Sequence, residues 1–170
     1  MTGSSSSTGY LLDTCTALLA LADPDALSPT ARRAILAGPN VLSVVSYWEV
    51  VLKSMKGTLE VGDPRVWWLD ALEQLGATPL VLSPQHIAGV YGLPALHKDP
   101  FDRILIAQAT AERLALVSID VDIARYATKT LRVVGWETKA SPPLHPSSEC
   151  EAQSSFTISA TRPAMRSPGN

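Results

Sequence analysis

Residues 99–120 read DPFDRILIAQATAERLALVSID. Asp99 and Pro100 open a helix, because an Asp side chain accepts from first-turn amides and a proline ring is already set to the helical φ. That helix is expected to run to about Arg113. Leu114 to Ile119 then forms an uncharged, largely apolar run, the pattern of a strand buried on both faces. Asp120 stops the run and starts a further helix, to about Ala127. A helix, a strand and an acid at the strand's carboxyl end thus follow one another without a break.

The same unit recurs upstream. Tyr10-Leu11-Leu12 is a short apolar run closed by Asp13, and a helix from Thr14 to Ala22 follows. Asp23-Pro24-Asp25 breaks that helix. Ser28-Pro29 begins a second one, and Gly38-Pro39 ends it. Val41 to Val45 reads as a second strand, with a helix from about Ser46 to Lys56 that carries Glu49 in its first turn. Asp63-Pro64 caps another helix, whose Trp68, Leu72 and Leu75 share a face. Pro79 to Leu82 reads as a third strand, Ser83-Pro84 opens a short helix, and Leu131 to Val134 closes the pattern. Strands alternating with helices specify an α/β class: a mainly parallel sheet with helices on both faces. Ligands of such sheets bind beyond the carboxyl ends of the strands.

The chain has 170 residues, enough for one domain with a sizeable core. Its net charge of −2 argues against nucleic-acid binding through bulk positive charge. Residues 1–8 are Ser-rich, carry no basic residue and read as a flexible lead-in rather than a signal peptide. No apolar stretch reaches membrane-spanning length. Residues 137–170 contain Ser-Pro-Pro, His-Pro-Ser-Ser and Arg-Ser-Pro-Gly-Asn and have no helical or strand period. They read as a disordered tail, which leaves 9–136 as the folded domain. Cys15 and Cys150 offer no disulfide framework and no metal-ligand spacing, which points to a reducing, cytoplasmic compartment.

Four acids fall on one rim of the expected sheet. Asp13 and Asp120 directly follow strands, Glu49 begins the helix after the second strand, and Asp102 lies in the first turn of a helix that runs back from the rim. Each has a bland reading: Asp13 and Asp120 as N-caps, Asp99 with Asp102 as a capping-box variant, Glu49 as the partner of Lys53 one turn on. Their combination points further, since Glu49 sits among Tyr47, Trp48, Val50 and Val51. Converging carboxylates repel one another and raise their own pKa values unless a cation separates them. Oxygen-only donors suit Mg²⁺ or Mn²⁺ rather than zinc, and His86, His97 and His145 share no metal spacing. Such a metal supports phosphodiester hydrolysis.

The sequence resembles the PIN-domain family, and within it the VapC toxins of toxin–antitoxin pairs. The resemblance is carried by Leu11-Leu12-Asp13-Thr14; by Ser43 to Glu49 with Lys53; by Leu93-Pro94 with His97-Lys98-Asp99-Pro100-Phe101-Asp102-Arg103; and by Ser118-Ile119-Asp120 with Tyr126. It implies a PIN-like three-layer α/β/α sandwich, cleavage of RNA with Mg²⁺ or Mn²⁺, homodimerisation and an inhibitory VapB-like antitoxin. Asp13, Glu49, Asp102 and Asp120 would be both the catalytic and the metal-binding acids. Ser118, where the family usually has Thr, would hydrogen-bond a metal-bound water. Asp99 would cap its helix, and Asp122 would compete with Asp120. Lys53 and Arg103 would either contact phosphate or pair with Glu49 and Asp102. Two departures stand out: Cys15 and Thr16 replace a His and an aliphatic residue common in this branch, and the tail has no counterpart. The alternatives are a catalytically inactive PIN-like binding module and a haloacid-dehalogenase-like phosphatase. The latter needs a second Asp two residues after the first, where this chain has Cys15. Trp48, Trp67 and Trp68 read as core or dimer contacts rather than as platforms for bases.

Overall fold

A computed structural model describes residues 8–137. Five strands form one sheet in the order β3-β2-β1-β4-β5, and every neighbouring pair is parallel. They are β1 (Tyr10–Leu12), β2 (Asn40–Ser43), β3 (Ala77–Leu80), β4 (Ala115–Val117) and β5 (Val133–Val134). Parallel strands need crossovers, and seven helices supply them: α1 (Thr14–Ala22), α2 (Pro29–Ala37), α3 (Val44–Met55), α4 (Pro64–Gln74), α5 (Pro84–Tyr91), α6 (Pro100–Ala111) and α7 (Val121–Ala124). A short 3-10 turn, Pro24–Ala26, links α1 to α2.

The alternation of side chains along the strands builds two cores. Leu12 pairs in register with Leu42 on one side and Val117 on the other. All three face a core that includes Ala17, Ala31, Val50, Trp67 and Ala71. One residue earlier, Leu11 pairs with Val41 and Leu116, and these face the opposite core with Leu105, Ile106, Ala109 and Ile123. This is the expected three-layer α/β/α sandwich, with a sheet that is parallel throughout.

Caps set the helix starts. Asp13, Ser28, Ser43, Asp63, Ser83, Asp99 and Asp120 each accept a backbone amide of the helix they precede. Ser43 corrects one expected boundary. Its hydroxyl accepts from Val45 N at 3.0 Å, so Val44 and Val45 form the first turn of α3 rather than the end of β2. Glu49 therefore sits in the second helical turn, not the first. The third strand lies two residues earlier than expected, because Ala77 to Leu80 pair with Asn40 to Ser43. The buried stripe of α4 is Trp67, Ala71 and Leu75, with Trp68 and Leu72 only partly buried beside it.

Cys15 is disulfide-bonded rather than a free thiol, where the sequence offered no disulfide framework. Cys150, His145 and the expected tail from residue 138 lie outside the described residues, as do residues 1–7 of the expected lead-in. Among the described residues no helix is long and apolar enough to cross a membrane.

Candidate functional site: four carboxylates at the carboxyl ends of the central strands

Strand β1 is central, with β2 on one side and β4 on the other. The chain order reverses between β1 and β4, and the two diverging crossovers leave a crevice beyond the carboxyl ends there. Asp13 directly follows β1 and Asp120 lies just beyond β4, so both sit at that crevice. The α3 helix starts at the end of β2 and brings Glu49, and α6 begins on the same edge before running back to β4, which brings Asp102.

Asp13 is 2% exposed and its Oδ1 accepts from Thr16 N at 2.6 Å, so it caps α1 from a buried position. Burial pushes its carboxyl up to about 6, against the opposing effect of hydrogen bonds from Ser118 and Thr16 and with a small addition from Glu49. Glu49 is 5% exposed. Its Oε1 lies 2.8 Å from Lys53 Nζ, while its Oε2 is buried without a hydrogen-bond partner. Lys53 thus makes the expected pair with Glu49.

Asp102 feels the whole group. Burial, and then the charges of Asp13, Asp99, Glu49 and Asp120, push its carboxyl up from 3.8 to about 9. Asp120 is the most open of the four, with a side chain 40% exposed. Its Oδ1 accepts from Asp122 N at 2.7 Å, capping α7. Ser118 is fully buried beside two acids: its Oγ accepts from Asp120 N at 3.0 Å, and its hydroxyl favours the ionised form of Asp13.

The other expected participants fall elsewhere. Asp99 accepts from Phe101 N at 2.8 Å as the cap of α6, but the capping box with Asp102 does not form, because Asp99 N donates to His97 Nδ1 instead. Asp122 turns to Arg125, 3.3 Å away. Arg103 pairs with neither Asp102 nor the rim. Its guanidinium donates to the carbonyls of Val90, Leu93, Pro94 and His97 and to the Tyr126 hydroxyl. Trp67 is a core residue, Trp68 stacks on Tyr47 with centroids 5.0 Å apart, and Trp48 meets Phe101 edge-on at 5.1 Å.

Sequence reasoning missed His97. Its Nε2 lies 3.3 Å from Asp120 Oδ2 and 3.4 Å from Asp102 Oδ2, within the acidic site. Searching for a spacing shared among histidines could not find it, because its partners are carboxylates. The available signal was its place two residues before the cap of α6.

The donor set fits a hard divalent cation. Carboxylates that raise one another's pKa, and a buried carboxylate oxygen with no partner, are what such an ion relieves. Asp13, Glu49, Asp102 and Asp120 would hold it.

Comparison with known proteins agrees with this architecture. Residues 10–129 match the model of the PIN domain. Among solved structures, VapBC2 from Rickettsia felis bound to a DNA fragment from its promoter shares the fold at a TM-score of 0.54 and 14% identity, over 75% of this chain and 98% of that one. No curated protein sequence matches the chain. The match over residues 10–129, on the all-parallel sheet just described, places this chain in the PIN domain family.

Proposed function

We propose that this chain is a divalent-metal-dependent endoribonuclease and the toxin of a VapBC-type pair. PIN domains are generally nucleases, which removes the phosphatase alternative. The observation that carries the reading is the convergence of Asp13, Glu49, Asp102 and Asp120, with Asp102 pushed up to about 9 by burial and by the other acids. An inactive binding module has no use for so repulsive a cluster, and none of the four acids is missing. The VapBC2 likeness favours the toxin assignment and a VapB-like antitoxin partner. The homodimer comes from the family resemblance. A cytoplasmic location is in keeping with the toxin–antitoxin likeness.

In this reading the four acids bind Mg²⁺ or Mn²⁺, which when bound supplies an activated water and charge stabilisation at the phosphate. The chain's own contribution is placement. Ser118 Oγ holds the main chain at Asp120, Thr16 N orients the Asp13 carboxylate, and Lys53 leaves one Glu49 oxygen for the site. The antitoxin inhibits by placing a basic side chain among the acids, through charge-assisted hydrogen bonds that compete with the cation.

The test is cleavage of labelled RNA by purified protein across Mg²⁺ and Mn²⁺ series, with EDTA and an Asp13→Asn control. Cleavage should need the metal and vanish in the variant. Cleavage indifferent to both would refute the assignment.

A further inference from the structure

His97, Asp102 and Asp120 offer one nitrogen and two oxygens within 4.8 Å of one another, an arrangement that looks like three ligands of one ion. The backbone rules out that reading of the histidine. Asp99 N donates to His97 Nδ1 at 3.1 Å. A backbone amide has only a proton to give, so Nδ1 presents its lone pair there. In the neutral ring the proton is then on Nε2, the atom that faces Asp102 and Asp120. A nitrogen that carries a proton has no lone pair for a cation.

We propose that His97 is a positioning residue, not a ligand: its Nε2–H donates to Asp120 Oδ2, with Asp102 Oδ2 3.4 Å away, and holds the two carboxylates close together, ready for a divalent cation. The inference deepens the metal reading proposed above and rests on it. Donors of this kind hold ligating carboxylates in place and are typically worth about 10- to 100-fold in metal affinity.

A second group of contacts explains how the ring is presented. The Tyr126 hydroxyl accepts from Leu96 N and His97 N and donates to Pro94 O, and Arg103 donates to Pro94 O and His97 O. Arg103 and Tyr126 together clamp the main chain of residues 94–97. They grip the backbone and not the imidazole, so removal of the side chain leaves the loop in place.

The experiment uses full-length protein with ¹⁵N-labelled histidine. In metal-free protein, long-range ¹H–¹⁵N spectra should show His97 as the Nε2–H tautomer. With Mn²⁺ bound, electron spin-echo spectra should show no directly coordinated imidazole nitrogen. Calorimetry should show His97→Ala weakening Mg²⁺ binding by about 10-fold or more with an unchanged melting temperature. His97→Gln, which keeps an N–H donor, should recover much of the loss. A nitrogen bound to Mn²⁺, an Nδ1–H tautomer, or wild-type affinity in His97→Ala would each overturn the proposal. If the wild type bound no divalent cation, the metal reading would fall. The tautomer, read without metal, would still decide whether the Nε2–H donor exists.

Discussion

Two polar clusters among the described residues are built on opposite plans. One joins β2, α5 and α6. Ser43 Oγ donates to Gln108 Oε1 at 2.6 Å, Gln108 Nε2 donates to Val81 O at 3.3 Å, and His86 Nε2 lies 2.9 Å from Glu112 Oε1. Ser83 N donates to His86 Nδ1, so both ring nitrogens are used. Ser43, Gln108 and His86 are buried, and none of their side-chain atoms lacks a partner. The other cluster is the acid rim, where like charges face one another and Glu49 Oε2 has no partner. The first cluster is what a polar group needs in order to be buried at little cost. The second opposes folding and is held in place by everything around it. A site assembled against local preference is a sign of function, while a satisfied network is a sign of architecture.

The contrast fails if the acids prove dispensable for activity. Asp13→Asn should lower metal-dependent RNA cleavage on the order of 10³-fold, since a charged ligand worth several kcal/mol of charge stabilisation is lost. Asn caps a helix as well as Asp does, so the fold should survive. In EDTA the variant's melting temperature should equal or exceed that of the wild type, because a raised carboxyl has been removed. A lower melting temperature would mean that the Asp13 carboxylate stabilises the metal-free fold rather than opposing it.

Gln108→Ala tests the other cluster. It strands the Ser43 hydroxyl and the Val81 carbonyl and opens a cavity, so stability should fall by about 2–4 kcal/mol. Thermal unfolding reads this as a drop on the order of 10 °C. A change within about 1 kcal/mol would show that water replaces the amide and that the network is not structural.

Titration sharpens the comparison. Asp102 is raised from 3.8 to about 9 and Asp13 to about 6. A raised folded-state pKa means that the metal-free fold holds protons which the unfolded chain releases. Its stability is therefore complete below about 3.8. It declines as pH rises through about 6 and on towards about 9. Melting temperature in EDTA should fall across that window, and Asp102→Asn should flatten the upper part of the curve. Saturating Mg²⁺ should flatten it in the wild type, since bound metal keeps the acids ionised. A level profile in metal-free wild type would contradict the repulsive picture.

The smallest effect belongs to Asp122→Asn. Its carboxylate points at Arg125, 3.3 Å away, and a surface pair of this kind contributes little. RNA cleavage should stay within about twofold and stability within about 0.5 kcal/mol. A large loss of cleavage would return Asp122 to the acidic site.

Much of this was legible along the chain, because the signals are local. Ser28-Pro29, Asp63-Pro64, Ser83-Pro84 and Asp99-Pro100 each mark a helix start that the structure keeps. An acid at or just beyond the end of a buried strand lands on the carboxyl rim once the sheet is parallel, which places Asp13 and Asp120, and the helix that leaves the second strand carries Glu49 to the same rim. Where the local signal was weak, position slipped. Val44 and Val45 favour strands by residue type, yet the Ser43 cap makes them helical, and β3 took its register from β2 across space.

The sequence by itself determined the order of elements, the parallel sheet and the rim on which the four candidate acids fall, since caps, breakers and apolar runs act within a few residues. The tertiary structure alone decided which polar groups meet. His97 reaches Asp120 across 23 positions, Tyr126 reaches Pro94 across 32, and Ser43 reaches Gln108 across 65. Arg103, one residue from an acid of the site, is turned by such contacts into a clamp on the backbone. No periodicity encodes those meetings, because they depend on where two crossovers bring their ends, and that is settled only when the sheet and both its helical layers pack together.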